Sequence, residues 1–177
     1  MGTPKVPKPG KLMMSFISAD DELMMKAIED LKSIYGEVDL ISDLLPFNFT
    51  RYYDEEMGPP LFRRFVAFKE LVPREALADI KRRTNGVEER YSRGGRRRVN
   101  IDPGVISAGN LVLATTKGCA HRPYLRDGIY ADLTLIFQGR SFRPLEWTYP
   151  DYRQGEVIEM VNGLRRSYLM QLKGKGA

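Results

Sequence analysis

The sequence predicts an α+β fold: a largely antiparallel sheet with helices mainly on one face. It opens β-α-β-β-α-β and continues as an antiparallel extension closed by a C-terminal helix. Three observations carry this. Two helical stripes sit between short aromatic and β-branched runs, in "ADDELMMKAIEDLKSIYG" and after Pro73. Residues 96–137 hold several strand-like runs with no helical period between them. Asp127-Gly128, flanked by such runs, is a strong hairpin signal.

Taken in order, residues 1–10 read as a flexible, basic, proline-containing lead, and 11–172 as a single α+β domain. "KLMMSFIS" (11–18) is a first strand. A helix follows over 20–35, with Met24, Ala27, Ile28, Leu31 and Ile34 at helical spacing, acids in its first turn and Gly36 as its stop. The methionines read as core filler. A strand over 37–45 breaks at Pro46, and 47–60 continues extended to a Gly-Pro-Pro turn. "LFRRFVAFKEL" (61–71) is a third strand. Pro73 and Glu75 open a second helix, with Ala76, Leu77 and Ile80 on its apolar face, which fades near Asn85-Gly86. Then come strands over 96–102, stopped by Pro103-Gly104, and over 110–116, apolar throughout and so covered on both faces. Strands over 121–126 and 129–137 flank the hairpin turn. Thr148 or Tyr149 caps the last helix, with Pro150 at its start and Val157, Val161, Leu164, Tyr168 and Leu172 as its stripe. Residues 173–177 read as a flexible tail. The first six elements follow the ferredoxin-like split.

Length and composition set bounds. The 177 residues, 42% hydrophobic and 29% charged, fit one soluble domain with a real core. No apolar run reaches the roughly 20 residues of a spanning helix, and no secretory segment is evident, so a cytoplasmic location without membrane contact is the expectation. A single cysteine excludes an intrachain disulfide, and a single histidine excludes a multi-histidine zinc site within one chain. There is no GxxxxGK[ST], no GxGxxG after a strand, no GxSxG and no HExxH. The net charge of +5 is concentrated: residues 81–98 hold eight Lys and Arg against two Glu. Such a basic segment suits a phosphate-bearing partner, or forms a solvated helix end and loop.

"TTKGCAHRPYLRDGIYAD" (115–132) holds both Cys119 and His121. Nothing in the local pattern lowers the thiol pKa, so Cys119 reads as a small buried filler and His121 as the functional member of the pair. Alternation along strands places Arg98, Asn100 and Asp102 on one face, and Tyr130, Asp132 and Thr134 on another. If these strands adjoin, Asp54, Asn100, Asp102, His121, Arg122, Tyr130 and Asp132 converge on one polar side of the sheet, as a ligand pocket or as cross-strand ion pairs. The lead function is recognition of an anionic ligand, a nucleotide or RNA. Asn100, Arg122, Tyr124 and Tyr130 would form the site, and Arg96, Arg97 and Arg98 would add electrostatic capture. One rival is an enzyme acting on a phosphoester. His121, Asp102 and Asp132 would be catalytic, with a divalent cation held by Asp54, Asp102 and Asp132. The other is an interaction protein with no small-molecule site. The oligomeric state is open.

At "FTRYYDEEMG", "VNIDPG", "LVLATTKG", "HRPYLRDGIYAD" and "WTYPDY" the chain resembles an uncharacterised bacterial and archaeal family of unknown function, over residues 10–170. Its members often carry the label "GTP-binding protein". The resemblance implies a nucleotide, while the chain lacks both the P-loop and the guanine-reading NKxD pattern.

Overall fold

The computed structural model describes residues 1–174. The elements run β1 (Gly10–Ser18), α1 (Asp21–Tyr35), β2 (Val38–Ile41), β3 (Leu45–Phe47), α2 (Asp54–Met57), β4 (Leu61–Val72), α3 (Leu77–Arg90), β5 (Asn100–Ile106), β6 (Asn110–Thr115), β7 (Tyr124–Arg126), β8 (Ile129–Gln138), β9 (Ser141–Pro144) and α4 (Gly155–Gly174). One nine-stranded sheet has the order β2-β4-β1-β5-β6-β8-β7, with β3 on β4 and β9 on β8. Every pairing is antiparallel. Its first part, β2-β4-β1-β5, is the ferredoxin-like order, and β6 to β9 extend it.

Strand β1 is buried along its whole length because both its faces are covered. Leu12, Met14 and Phe16 pack with Met24, Ile28 and Leu31 of α1 and with Leu77, Ile80 and Val87 of α3. Met13, on the opposite face, packs with Phe65 and with Val157, Val161 and Leu164 of α4. Two long helices thus share one face and the closing helix takes the other. Lys11 is fully buried on the α4 side. Its ammonium reaches Asp39 of β2 at 2.5 Å, the Phe68 carbonyl of β4 at 2.9 Å and Gln171 of α4 at 3.3 Å, which joins three elements to β1.

Several element boundaries differ from the sequence reading. Residues 54–57 form one helical turn instead of an alternating strand, with three acids at its N-terminal end, where the helix dipole favours them, and Gly58 at φ 75° ending it. Helix α3 runs through Asn85-Gly86 to Arg90, because Thr84, Val87 and Glu88 are buried against the sheet and packing overrides the glycine. The fourth major strand occupies 100–106, not 96–102. Pro103 is paired with Met14 and Gly104 with Met13, so neither stops the strand. A Cβ at Gly104 would come within 2.5 Å of Leu113, so close approach of β6 requires glycine there. A hairpin strand, β9, follows the turn at Gly139 (φ 63°). At Asp127 (φ 54°) and Gly128 (φ 75°) both turn residues are left-handed, as the hairpin signal requires. Of the expected tail, Lys173 and Gly174 belong to α4, and 175–177 lie outside the described residues.

One irregularity positions the site. Strand β5 pairs with β1 from Asn100 to Ile106, but with β6 only from Gly104 to Ile106. Beyond that point β6 pairs with β8 alone, and the sheet forks. Successive residues of a strand turn their N–H and C=O to alternate edges, so Ile101, Pro103 and Val105 share one edge. Proline offers no N–H there. At Ile101 the ladder is replaced by two side chains of α3: its N–H donates to Glu88 at 2.6 Å, and its carbonyl accepts from Lys81 at 2.7 Å. Lys81 and Glu88 are themselves 3.8 Å apart and each is 6% exposed.

Burial pushes the Glu88 carboxyl above the usual carboxylate range, and Lys81 opposes this. Removing Lys81 orphans the Ile101 carbonyl and leaves the buried Glu88 carboxylate with Arg97, at 3.5 Å, as its remaining counter-charge. Lys81→Met is therefore expected to cost about 3–5 kcal/mol of unfolding free energy at neutral pH. Without Lys81 the folded-state pKa of Glu88 rises further above its unfolded value. The protonated form then supports the fold below the unfolded pKa, and that support is lost as pH rises through the folded pKa. The variant should thus recover part of its deficit at about pH 5 and be weakest at about pH 8. Urea melts at both pH values measure it. An equal deficit at both would show that Glu88 is not the carboxyl left unpaired.

Candidate functional site

The fork between β5 and β6 opens into a cavity of about 600 Å³. Asn100 and Asp102 of β5 line one side, and Leu113 to Lys117, at the end of β6, line the other. Lys81, Asn85 and Glu88 reach it from α3, Arg97 from the connection before β5, and Asp132 from β8. Arg63 of β4 contributes from the same face as Phe65. Two aromatic segments complete the walls: Phe47 at the end of β3 with Phe49, Tyr52 and Tyr53 after it, and Tyr149 and Tyr152 around a 3-10 turn, Pro150–Arg153. Trans Pro-type φ restriction and the Thr148 hydroxyl set that second segment: Thr148 donates to the Thr134 carbonyl at 2.6 Å and accepts from Leu145 N–H at 2.7 Å.

The charges are balanced, four cations against four acids among the lining residues, and most are already paired. Arg63 and Asp151 form a buried ion pair, with the guanidinium 4.6 Å from the Phe47 ring centre and 5.5 Å from that of Tyr152. The Arg63 Nε is buried without a hydrogen-bond partner among the described residues. Asp102 accepts from Lys81 at 3.1 Å and from Asn100 at 2.7 Å. Burial works to raise its carboxyl, but Lys81, Asn100 and Arg63 together hold it below the usual range, so it stays an acceptor. Its side chain remains 30% exposed. The Glu56 carboxylate, bonded to Arg97 at 2.7 Å and 2.8 Å, holds that guanidinium well above its ordinary pKa. Burial raises the phenols of Tyr53, Tyr149 and Tyr152, which therefore remain protonated donors at neutral pH. Among the described residues, Lys117 is the lining cation with no acidic partner; its ammonium lies 3.7 Å above the Tyr52 ring.

Of the residues singled out in the sequence, Asn100, Asp102, Asp132 and Arg97 meet at this cavity. Arg122 and His121 stand behind Asp132, at 2.8 Å and 3.6 Å from its carboxylate. Arg122 also donates to the Lys117 carbonyl at 3.0 Å and to the Tyr149 hydroxyl at 2.5 Å, so it clips together three segments of the rim. His121 stacks on Trp147 with ring centres 5.1 Å apart. Tyr130 pairs in register with Thr115 and packs on Tyr124 at 5.3 Å. Arg98 turns away to Asp20, at 3.0 Å, because the strand begins two residues after it and alternation does not reach it. Arg96 sits in a turn bridged to Arg93. Asp54 lies in α2 and is not a lining residue. Among the described residues no three His, Cys, Asp or Glu groups cluster as a metal site, so Asp54, Asp102 and Asp132 do not form the set the sequence suggested. Cys119 is exposed instead of buried, since its carbonyl accepts from Arg122 N–H at 2.9 Å in a turn at the rim, and the strand expected from His121 begins only at Tyr124. In the basic segment 81–98, Lys81, Arg82, Arg90, Arg97 and Arg98 all have acidic partners, which leaves Arg83, Arg93 and Arg96 unpaired among the described residues.

The aromatic half of the site was not foreseen. Tyr53, Tyr149 and Tyr152 come from stretches that carry no strand or helix period. "TRYYDEEMG" and "WTYPDYR" do hold the signal, as tyrosines clustered with acids in non-repetitive chain. Lys81 and Glu88 carried a signal too. They are seven apart, on the same helical side as Thr84, and so form a polar stripe beside the apolar one.

No helix among the described residues is long and apolar enough to cross a membrane. No curated protein and no solved structure matched the chain. A family model described as a domain of unknown function (DUF4416), a description that specifies no ligand, matches residues 8–168. That span contains the whole fork, both aromatic segments and most of α4, and the chain belongs to this family.

Proposed function

We propose that the chain is a binding module whose ligand is a nucleotide seated in the cavity at the β5–β6 fork. The observation that carries this reading is the composition of the cavity: six aromatic rings facing fixed hydrogen-bonding groups in about 600 Å³, with one cation left unpaired at its rim. Ligand sites of roughly this volume combine an apolar or aromatic wall with a few fixed polar groups. A planar base gains stacking energy on tyrosine rings, about 1–3 kcal/mol per base. Asp102, held ionised and partly open, accepts hydrogen bonds from ribose hydroxyls or base N–H groups. The Lys117 ammonium forms no ion pair among the described residues, the Glu56 carboxylate it acts on being held by Arg97, and it suits the phosphate. The buried pairs around it keep the cavity rigid, so little ordering is left to be done on binding.

Calorimetry with the four ribonucleoside monophosphates tests this, with Trp147, the single tryptophan, as a second reporter by fluorescence. Saturable binding is expected. Lys117→Ala should weaken it about tenfold, roughly 1.4 kcal/mol, while binding of the matching nucleoside is unchanged. Absence of saturable binding at millimolar nucleotide, in folded protein, would sink the reading. Equal losses for nucleotide and nucleoside would place the phosphate elsewhere. Cys119→Ala is the control. The thiol is exposed and is not a lining residue, so the variant should bind within about threefold of the parent, or 0.7 kcal/mol.

A further inference from the structure

The exposed aromatic side chains are not scattered. Phe49, Tyr52, Tyr124, Trp147 and Tyr149 are between 39% and 61% exposed, and all lie at the forked end of the sheet. Phe49, Tyr52 and Tyr149 line the cavity itself. Trp147 stacks on His121, which touches the lining residue Asp132, and Tyr124 packs on Tyr130, the register partner of Thr115. Among the described residues the exposed large aliphatic side chains lie mostly elsewhere, with Leu125 the one neighbour. Rings and arginines also mark protein interfaces, so the choice of partner rests on the cations and the cavity beside the rings. A surface of rings alone offers flat faces.

Cations accompany the rings. Lys117 lies over Tyr52, and Arg51 and Arg96, which flank the lining residues Tyr52 and Arg97 in sequence, have no ion pair among the described residues. Arg122 lies 5.7 Å from the Tyr149 ring centre. Rings interleaved with cations are what a single-stranded polynucleotide requires, bases on the rings and phosphates on the ammonium and guanidinium groups.

We infer that the cavity holds one nucleotide of a single-stranded RNA and that the aromatic rim carries its neighbours. The inference rests on the nucleotide reading of the cavity and extends it from a small molecule to a chain. A cavity of about 600 Å³ encloses one nucleotide, and Tyr124 and Trp147 lie outside it. RNA is favoured over DNA by Asp102, an acceptor-only group whose carboxylate, besides accepting from Lys81 and Asn100, stays partly open to the cavity, where a ribose 2′-hydroxyl can donate to its remaining lone pairs.

The test compares a ribonucleoside monophosphate with RNA and DNA oligonucleotides of two, four and eight residues, by calorimetry and by anisotropy of labelled oligonucleotides. Affinity should rise at least tenfold from the mononucleotide to the RNA tetramer, and RNA should bind at least fivefold tighter than DNA of the same length. Tyr124→Ala and Trp147→Ala, with circular dichroism matching the parent, should remove most of the gain with length and leave mononucleotide binding within about twofold. Binding of mononucleotide with no gain from length would overturn this inference and leave the cavity reading standing. A gain that survives both substitutions would show that the rim does not carry it. Equal affinity for DNA would overturn the choice of RNA. No binding of any of these would overturn both readings together.

Discussion

The architecture of the site depends on one edge of one strand. Ile101, Pro103 and Val105 present their backbone groups to the place where β6 should run, and only Val105 is met by it. Pro103 cannot donate, and Ile101 is satisfied by Glu88 and Lys81. A buried amide or carbonyl left without a partner costs about 1–3 kcal/mol, so the fork exists only because α3 supplies both. The two side chains must then be satisfied in turn. Lys81 finds Asp102 as well as Glu88, Glu88 finds Arg97, and Arg97 finds Glu56 and Asn100. The polar network that lines the cavity is therefore a consequence of the break in the ladder.

That network explains why the cavity is neither acidic nor basic although its lining is rich in charge. Each buried charge entered with a counter-charge, as the low dielectric of an interior demands. A charge left over at the rim, as at Lys117, costs little because water screens it. The aromatic walls supply stacking area that polar networks lack. Phe47 and Tyr152 of those walls, with Phe65 from the core, also shield the Arg63–Asp151 pair.

The order of major elements, the two helical stripes and the Asp127-Gly128 turn were legible because each is local: a period of 3.6 or 2, or a pair of residues suited to positive φ. Asn100, Asp102 and Asp132 were found by strand alternation, which holds where strands are regular. The same rule failed at Arg98, which precedes the strand, and at Asp54, which lies in a helical turn. Pro103-Gly104 was read as a strand end because proline cannot donate. The inference about donation was sound, but the missing donor faces the fork and not β1, so the strand continues. Tyr53, Tyr149, Tyr152, Arg63 and Lys117 could not be joined from the sequence, since their meeting depends on which strands adjoin.

The ferredoxin-like part, taken alone, would end at β5 with a bare edge of N–H and C=O groups, a surface open to unwanted pairing. Covering that edge fully with β6 would remove the hazard and leave no cavity. Leaving it open would create space at the cost of an exposed ladder. On that edge the chain meets Val105 with a strand and Ile101 with side chains of a helix, while Pro103 between them has no N–H to satisfy. Side chains, unlike a strand, protect backbone groups without filling the volume in front of them. Edge protection and the open volume of the cavity thus come from the same two residues, which ties the stability of this end of the sheet to the presence of its cavity.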